Sequence, residues 1–328
     1  MKDEILRLLK ENTEDFISGQ EISEKFGVSR TAIWKCINQL KIEGYEIESV
    51  SKKGYRLLDS PDILTYEEIY EGLNTKFIGR KIIHFDSIDS TNSKAKELAS
   101  LLDEDGTVVI AEEQTMGKGR LGRNFISPNR KGIWMSIILK PDINPLNVSM
   151  VTQIGAAAIN KAFREMKIET LIKWPNDILL NKKKLCGILT EMSAELTKVN
   201  FIVMGIGINV NLDEDDFTEE VKETATSLKI EMGKKISRKE IVTRILNNFE
   251  PLYRAFVEKE DIEEAIAICR ESSILIDREI KVIKKENSIR AKVIDINDKG
   301  ELIVKYEDGS VENLISGEIS IRGLESYI

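Results

Sequence analysis

One short basic segment could do chemistry on an anion. Residues 114–141 contain six basic side chains and no acidic one, although the chain carries a formal net charge of −8. Three of these charges, Lys118, Arg120 and Arg123, lie within residues 117–123, where glycines let the backbone wrap a ligand and cations neutralise negative charge. The segment predicts a flexible cationic loop over an anionic ligand.

The glycines of this segment match the spacing of a dinucleotide fingerprint, G-x-G-x-x-G. The residues that follow do not, because Pro128 and Gly132 interrupt any helix and a further strand is predicted. The lysine and hydroxyl residue of a P-loop are also missing after the glycines. A lid over an anion therefore fits the segment better than a Rossmann or P-loop turn.

Two polar motifs occur at the ends of predicted strands. Ser90, Thr91 and Asn92 follow one strand and begin a helix, which taken alone favours a helix N-cap. Residues 205–209 combine glycines that permit close approach with Asn209, whose amide could bind the edge of a polar ring.

A more specific motif, Lys-Trp-Pro-Asn-Asp, occupies residues 173–177. The proline favours an extended residue before it, and Asn176 and Asp177 offer oxygen atoms to a hydrated cation. A predicted hairpin brings Lys184 near Asp177, although a solvated surface lysine is the alternative for that residue.

The first 62 residues predict a winged helix-turn-helix domain. A capping box and Gly27 bound one short helix, and a second helix with an apolar stripe ends near Gly44. Residues 25–41 contain four basic side chains and no acidic one, and a basic hairpin follows. The predicted DNA contacts are Ser29, Arg30, Thr31, Trp34, Lys35, Asn38, Lys52 and Lys53. A solvated helical face or a protein contact is the alternative.

Together with this domain, the rest of the sequence predicts a multidomain α/β protein. Residues 63–272 alternate strand and helix signals, which indicates an α/β domain with a mixed sheet, and residues 273–328 predict a small SH3-like β-barrel. No apolar run approaches a membrane span and no signal region begins the chain, so a cytoplasmic protein is expected. Three cysteines without CxxC spacing and one histidine argue against zinc or structural disulfides.

In order and spacing, these motifs resemble those of the biotin-protein ligases, and the winged helix-turn-helix makes the whole chain similar to the bifunctional bacterial type. The segments that carry the resemblance are residues 90–92, 117–123, 173–177, 184–188 and 205–209. The resemblance implies an enzyme that makes biotinyl-5'-AMP from biotin and Mg-ATP. It then transfers biotin to a lysine of the biotin carboxyl carrier protein of acetyl-CoA carboxylase.

The resemblance also implies roles for individual residues. The implied biotin contacts are Ser90, Thr91, Asn92, Gln114, Gly117, Gly119, Arg120, Trp134, Lys184, Gly187 and Gly205. The implied ATP or adenylate contacts are Lys118, Arg120, Arg123, Phe125, Asn176, Lys184 and Asn209. The four cations among them, Lys118, Arg120, Arg123 and Lys184, would stabilise the transition state of a carboxylate attacking a triphosphate. Asp177 and Asn176 are the implied magnesium ligands.

The same resemblance implies a repressor that binds operator DNA as a homodimer, with biotinyl-5'-AMP as co-repressor. This chain departs from the family at two positions, since Lys118 stands where arginine is usual and Phe125 where tryptophan is frequent. Two alternatives remain open: a lipoate or octanoate ligase-like enzyme, and a biotin-sensing repressor without catalysis.

Overall fold

A computed structural model describes residues 1–284, 287–316 and 319–323 of the chain. They form two compact units, Met1–Glu71 and a larger unit that begins at Gly72. The predicted domain boundaries at residues 62/63 and 272/273 remain predictions: the first lies inside the smaller unit and the second inside the larger one.

The smaller unit is built from helices followed by a two-stranded antiparallel sheet. Its elements are α1 (Lys2–Glu11), α2 (Gly19–Phe26), α3 (Arg30–Ile42), β1 (Glu46–Val50), β2 (Gly54–Asp59) and α4 (Tyr66–Ile69). Ser18 Oγ accepts a hydrogen bond from the backbone N–H of Glu21, and Gly27 ends α2 in the left-handed region at φ 64°. The predicted pair of helices and the hairpin are confirmed, whereas α1 was not predicted.

The segment after the hairpin packs onto this same unit. Leu64 and Ile69 are fully buried, and the carboxylate of Glu68 lies 2.7 Å from Lys10 Nζ. Glu68 also accepts a hydrogen bond of 2.9 Å from the Tyr45 hydroxyl. Helix α4 is therefore part of the smaller unit.

The larger unit contains a seven-stranded mixed sheet, as predicted. Its strands are β3 (Ile82–Phe85), β4 (Val108–Ala111), β5 (Gly132–Leu139), β6 (Leu171–Lys173), β7 (Asp177–Leu180), β8 (Lys183–Ala194) and β9 (Val199–Asn209). Their order is β3-β4-β5-β9-β8-β7-β6, and only the β3–β4 pair is parallel. Its helices are α5 (Thr91–Ala99), α6 (Val148–Glu165), α7 (Leu228–Met232), α8 (Arg238–Lys259) and α9 (Glu263–Glu271).

The register of this sheet aligns one residue from each of five strands. Trp134 pairs with Gly207, Gly207 with Gly187, Gly187 with Asp177, and Asp177 with Lys173. Directly paired residues of neighbouring strands present their side chains on the same face of a sheet. This transverse row therefore has tryptophan at one end, two glycines in the middle, and a carboxylate and an ammonium group at the other end.

The C-terminal part is a five-stranded antiparallel sheet in the order β13-β12-β11-β10-β14. Its strands are β10 (Glu279–Lys284), β11 (Asn287–Ile296), β12 (Leu302–Tyr306), β13 (Val311–Leu314) and β14 (Ile319–Gly323). The turn before β12 contacts the larger sheet, because the indole N–H of Trp174 donates a hydrogen bond of 2.9 Å to the carbonyl of Gly300. The predicted small β domain is thus tied to the residue 173–177 motif.

Candidate active site

A cavity of about 520 Å³ lies over one face of the larger sheet. It brings together most of the site residues that the sequence predicts. Those lining it are Ser90, Thr91, Asn92, Gln114, Lys118, Gly119, Arg120, Arg123, Phe125, Asn176, Asp177, Lys184, Gly187, Gly205 and Asn209. Residues from five separate motifs therefore share one space.

One end of the cavity holds a network of uncharged hydrogen-bonding groups. Gln114 Oε1 accepts bonds from the backbone N–H and the hydroxyl of Thr91, at 2.8 and 3.0 Å. The hydroxyl of Ser136 lies 2.8 Å from Thr91 Oγ1 and 2.6 Å from Asn92 Oδ1. Ser90 caps α5, with its hydroxyl 3.5 Å from the backbone N–H of Ser93, so the N-cap interpretation holds beside any role in binding.

Asn92 is held in place from several sides. Its amide nitrogen donates to Leu189 O at 3.2 Å and to Glu191 Oε2 at 2.8 Å. A β-carbon on Gly205 would lie 2.1 Å from Asn92 Oδ1. Only glycine at position 205 therefore leaves room for Asn92 against the sheet.

The middle of the cavity floor is formed by the glycines of the transverse row. Phe125 lies on this floor, since a β-carbon on Gly207 would be 2.7 Å from its ring and one on Gly187 would be 3.4 Å away. The ring of Trp134 meets Phe125 edge-on at 5.8 Å. Neither Trp134 nor Gly117 is among the described residues that line the cavity. These two implied biotin contacts remain predictions.

Residues of the cationic loop also line the cavity. Lys118 Nζ donates a bond of 2.8 Å to Ser93 Oγ on α5, whereas Arg120 donates one of 2.8 Å to Asn176 Oδ1. Leu121 is exposed and has φ 57°, in the region that favours glycine. The loop thus spreads its cations, with Lys118 at the uncharged end and Arg120 at the charged end.

The charged end of the cavity centres on Asp177. Its Oδ1 lies 2.6 Å from Lys184 Nζ, so the predicted proximity of these residues is confirmed. Burial lowers the pKa of Lys173 to about 8, while attraction to Asp177 opposes that shift. Burial also lowers the pKa of Arg120, again against the attraction of Asp177. The Trp174–Pro175 peptide bond between these groups is cis.

A further wall comes from a segment that the sequence analysis did not connect with the site. Phe217, Val221 and Thr224 line the cavity. The segment is fixed to β8, because the backbone N–H of Lys184 donates a bond of 2.7 Å to Thr224 O. The amide nitrogen of Asn209 donates to the carbonyl of Thr226 at 3.0 Å, which orients this lining side chain.

Sequence reasoning missed several further lining residues, and three of them illustrate how weak the signal was. Lys173 belongs to a recognised motif but resembled a strand residue before a turn. Arg322 lies on β14, far along the chain from the other lining residues. The sequence around Met135 indicates only an apolar residue in a buried strand. Only the register of the folded sheet and the position of the C-terminal domain bring them to the cavity.

The smaller unit presents the predicted DNA contacts on its surface. Ser29, Arg30, Thr31, Trp34, Lys35, Lys52 and Lys53 are exposed and Asn38 is partly exposed. The opposite face of α3 is buried, with Ile33, Ile37 and Leu40 at 1% exposure or less. Trp34 is 57% exposed, which is unusual for a large aromatic side chain that has no external partner.

None of the helices described here is both long and apolar enough to cross a membrane. The three cysteines, Cys36, Cys186 and Cys269, are buried thiols. Burial raises the pKa of Cys269 to about 12, which makes it a weak nucleophile.

Three parts of the sequence match known protein families. Residues 84–209 match the biotin/lipoate A/B protein ligase family, residues 2–56 an HTH domain, and residues 275–322 the biotin protein ligase C terminal domain. The matches fall on the mixed sheet, the helix-turn-helix unit and the C-terminal sheet.

Individual proteins are similar over nearly the whole chain. Bifunctional ligase/repressor BirA of Bacillus subtilis (strain 168) is 40% identical over 323 residues, which cover 98% of each chain. The protein of the same name from Escherichia coli (strain K12) is 28% identical over 314 residues, 95% of this chain and 94% of that one. Among solved structures, biotin protein ligase from Aquifex aeolicus in complex with biotin and ATP has a TM-score of 0.64 at 31% identity. It covers 74% of this chain and 99% of its own.

Proposed function

Because the chain belongs to the bifunctional ligase/repressor family of biotin-protein ligases, we propose that its cavity binds biotin at the uncharged end and the phosphates of ATP at the charged end. The protein is an ATP-dependent biotin-protein ligase and a transcriptional repressor of biotin genes.

The observation that carries the assignment is the division of one cavity into two chemical halves. Thr91, Asn92 and Gln114 offer uncharged donors and acceptors suited to a ureido ring. Arg120 and Lys184 surround Asp177 at the other half. A ligand with a neutral polar head and an anionic tail matches this division.

In the first step a carboxylate oxygen of biotin attacks the α-phosphorus of ATP, and pyrophosphate leaves with the electron pair of the broken P–O bond. Both reactants are anions, so their repulsion is the main barrier that the protein can lower. We propose that Arg120, Arg123 and Lys184 neutralise the charge that develops around the phosphorus. The loop also excludes water, which protects the adenylate from hydrolysis.

In the second step the neutral amine of a carrier lysine attacks the carbonyl carbon of the adenylate. A new C–N bond forms, AMP leaves with the electrons of the C–O bond, and the amine loses a proton. We propose that the acceptor is the biotin carboxyl carrier protein of acetyl-CoA carboxylase. The same cations stabilise the phosphate of the departing AMP.

The donor set fits a magnesium ion that arrives with the triphosphate. Asp177 already pairs with Lys184, and Asn176 Oδ1 already accepts from Arg120. Without the triphosphate, a magnesium ion would therefore compete with two cations for these oxygens. Mg²⁺ in proteins commonly binds one or two carboxylates together with phosphate oxygens. We propose that Asp177 and Asn176 supply the protein oxygens and that the bound ion offsets part of the triphosphate charge.

We also propose that biotinyl-5'-AMP is the co-repressor. A single winged-helix domain contacts few base pairs, so specific repression requires two DNA-binding domains on an operator with twofold symmetry. The adenylate orders the glycine-rich loop by supplying an anion to its cations, and this offsets the entropy lost by the loop. The ordered loop then favours a homodimer that binds operator DNA through α3 and the basic hairpin.

One experiment separates this function from its alternatives. The protein is incubated with ATP, magnesium and either labelled biotin or labelled lipoate, and the adenylate is separated by chromatography. We expect the biotin adenylate alone. Formation of a lipoyl adenylate would favour a lipoate ligase-like enzyme. If neither adenylate forms although the protein binds biotin, a biotin-sensing repressor without catalysis is favoured.

A further inference from the structure

Trp34 lies on the exposed face of α3, and 57% of its surface is accessible to solvent. Its neighbours along that face are Arg30 and Asn38, because residues four apart lie on the same side of a helix. The opposite face of α3, which carries Ile33 and Ile37, packs into the core of the smaller unit. The fold of this unit therefore leaves the indole ring outside its core.

The surface around Trp34 has the charge that a polyanion requires. Residues 25–41 contain four basic side chains and no acidic one, and Arg30 and Lys35 among them are exposed. Arg30 is tethered to α2, because its guanidinium donates a hydrogen bond of 2.7 Å to Gln20 Oε1. This charge complementarity favours nucleic acid over a second protein as the partner that covers the ring.

An indole ring can match few of the groups that DNA presents. It has one N–H donor, no acceptor and a large apolar surface, so it neither neutralises a phosphate nor forms the paired hydrogen bonds by which arginine and asparagine identify bases. The base edges in the major groove carry one apolar group, the C5-methyl group of thymine. Trp34 is the fifth residue of α3, and residues near the start of a recognition helix are those that contact base edges.

We propose that the ring of Trp34 packs against the C5-methyl group of a thymine in each half of the operator and thereby selects thymine at that position. The proposal rests on the operator binding proposed above and adds to it the chemical group that one residue recognises. The exposed cations on either side of Trp34 position α3 on the phosphate backbone, whereas Trp34 supplies sequence preference. The contact also removes the apolar ring from water, which packing within the smaller unit does not do.

The test uses the full chain with biotinyl-5'-AMP and a DNA duplex from the promoter of the biotin genes that the protein represses. In a series of duplexes, each symmetric pair of thymines is replaced in turn by uracil, which lacks only the C5-methyl group. Binding is measured by fluorescence anisotropy for wild type, Trp34→Ala, Trp34→Phe and the control Leu58→Ala. Leu58 is 56% exposed near the end of β2, so the control removes a similarly exposed apolar side chain from the same unit.

We expect one pair of uracils to weaken binding by wild type by about fourfold for each half of the operator, as for the loss of one buried methyl-sized group. Trp34→Ala should bind this duplex and the thymine duplex equally. Trp34→Phe, which keeps an aromatic face, should retain part of the preference, and Leu58→Ala should match wild type. The salt dependence of binding should have the same slope for Trp34→Ala as for wild type, because no phosphate contact is lost.

The proposal is overturned if Trp34→Ala keeps the wild-type preference for thymine, or if no pair of uracils weakens binding by wild type. It is also overturned if Trp34→Ala has a lower thermal midpoint or dimerises more weakly in sedimentation equilibrium, because Trp34 would then be a structural residue or a protein contact. Wild type that binds neither duplex would instead refute the operator binding proposed above.

Discussion

Lys184 Nζ lies 2.6 Å from Asp177 Oδ1, and the two residues project from neighbouring antiparallel strands. The carboxylate thus holds the ammonium group at the charged end of the cavity. Under the function proposed above, a phosphate that enters would compete with Asp177 for this ammonium, and a carboxylate oxygen would then be open to the proposed magnesium ion.

We predict that Lys184→Ala and Arg120→Ala each lower the rate of adenylate synthesis by about 10² or more, because a preorganised cation is lost at the phosphorus. Circular dichroism should show an unchanged fold. The measurement is the rate of pyrophosphate release with saturating biotin, with Lys182→Ala as control. Wild-type turnover in a folded Lys184→Ala protein would remove Lys184 from the mechanism.

Removal of the smaller unit should separate the two activities. The sequence placed the cut near Leu64, but Leu64 and Ile69 are buried within the smaller unit, so we place it at Gly72. We expect a chain starting at Gly72 to biotinylate carrier protein and to show no specific operator binding in a mobility-shift assay. Specific operator binding by this truncated chain would exclude the winged helix as the DNA reader.

Biotinyl-5'-AMP should strengthen homodimerisation, and through it operator binding. The expected effect is a lower dimer dissociation constant in sedimentation equilibrium, by a factor of about 5 to 150, which is the usual range of coupling between sites. Carrier protein, by consuming the adenylate, should reverse it. Equal dimerisation constants with and without adenylate, together with unchanged operator affinity, would contradict the coupling and leave the ligase assignment intact.

Gly205→Ala should damage the uncharged end of the cavity. The added β-carbon would lie 2.1 Å from Asn92 Oδ1, so Asn92 must move and its bonds to Glu191 and Ser136 must lengthen. Overpacking of this kind costs about 1–3 kcal/mol. We expect weaker biotin binding by calorimetry and a lower thermal midpoint. Gly19→Ala is the control, because its β-carbon meets Tyr55 at an ordinary 3.7 Å; equal behaviour of the two variants would show that position 205 tolerates a side chain.

Much of the fold was predictable because local patterns and tertiary structure agree. Glycine at position 27 ends a helix where the sequence predicts it, and the hairpin after Asp177 returns Lys184 to the expected place. Most of the site residues predicted from the motifs also line one cavity. These features depend on short-range geometry, in which turn and cap residues have few alternatives.

Long-range register was not predictable in the same way. Nothing local in the sequence indicates that Lys173 and Trp134 lie in one transverse row, at opposite ends of two glycines. The resemblance implied a biotin contact for Trp134, and in the structure its ring meets Phe125 edge-on at 5.8 Å beside the glycine floor. Which residue faces a ligand and which lies behind it depends on packing across five strands.

The bond from the Trp174 indole to the carbonyl of Gly300 bears on how such proteins can be recombined. This bond joins the motif that carries Asp177 to the turn before β12 of the C-terminal sheet. A chimaera that keeps the bond would therefore take both segments from the same protein. Helix α4 is packed within the smaller unit, so a DNA reader can be exchanged as a block that ends at Glu71. In a chimaera the smaller unit would therefore be exchanged as one block, whereas the C-terminal sheet would be kept with the motif that it contacts.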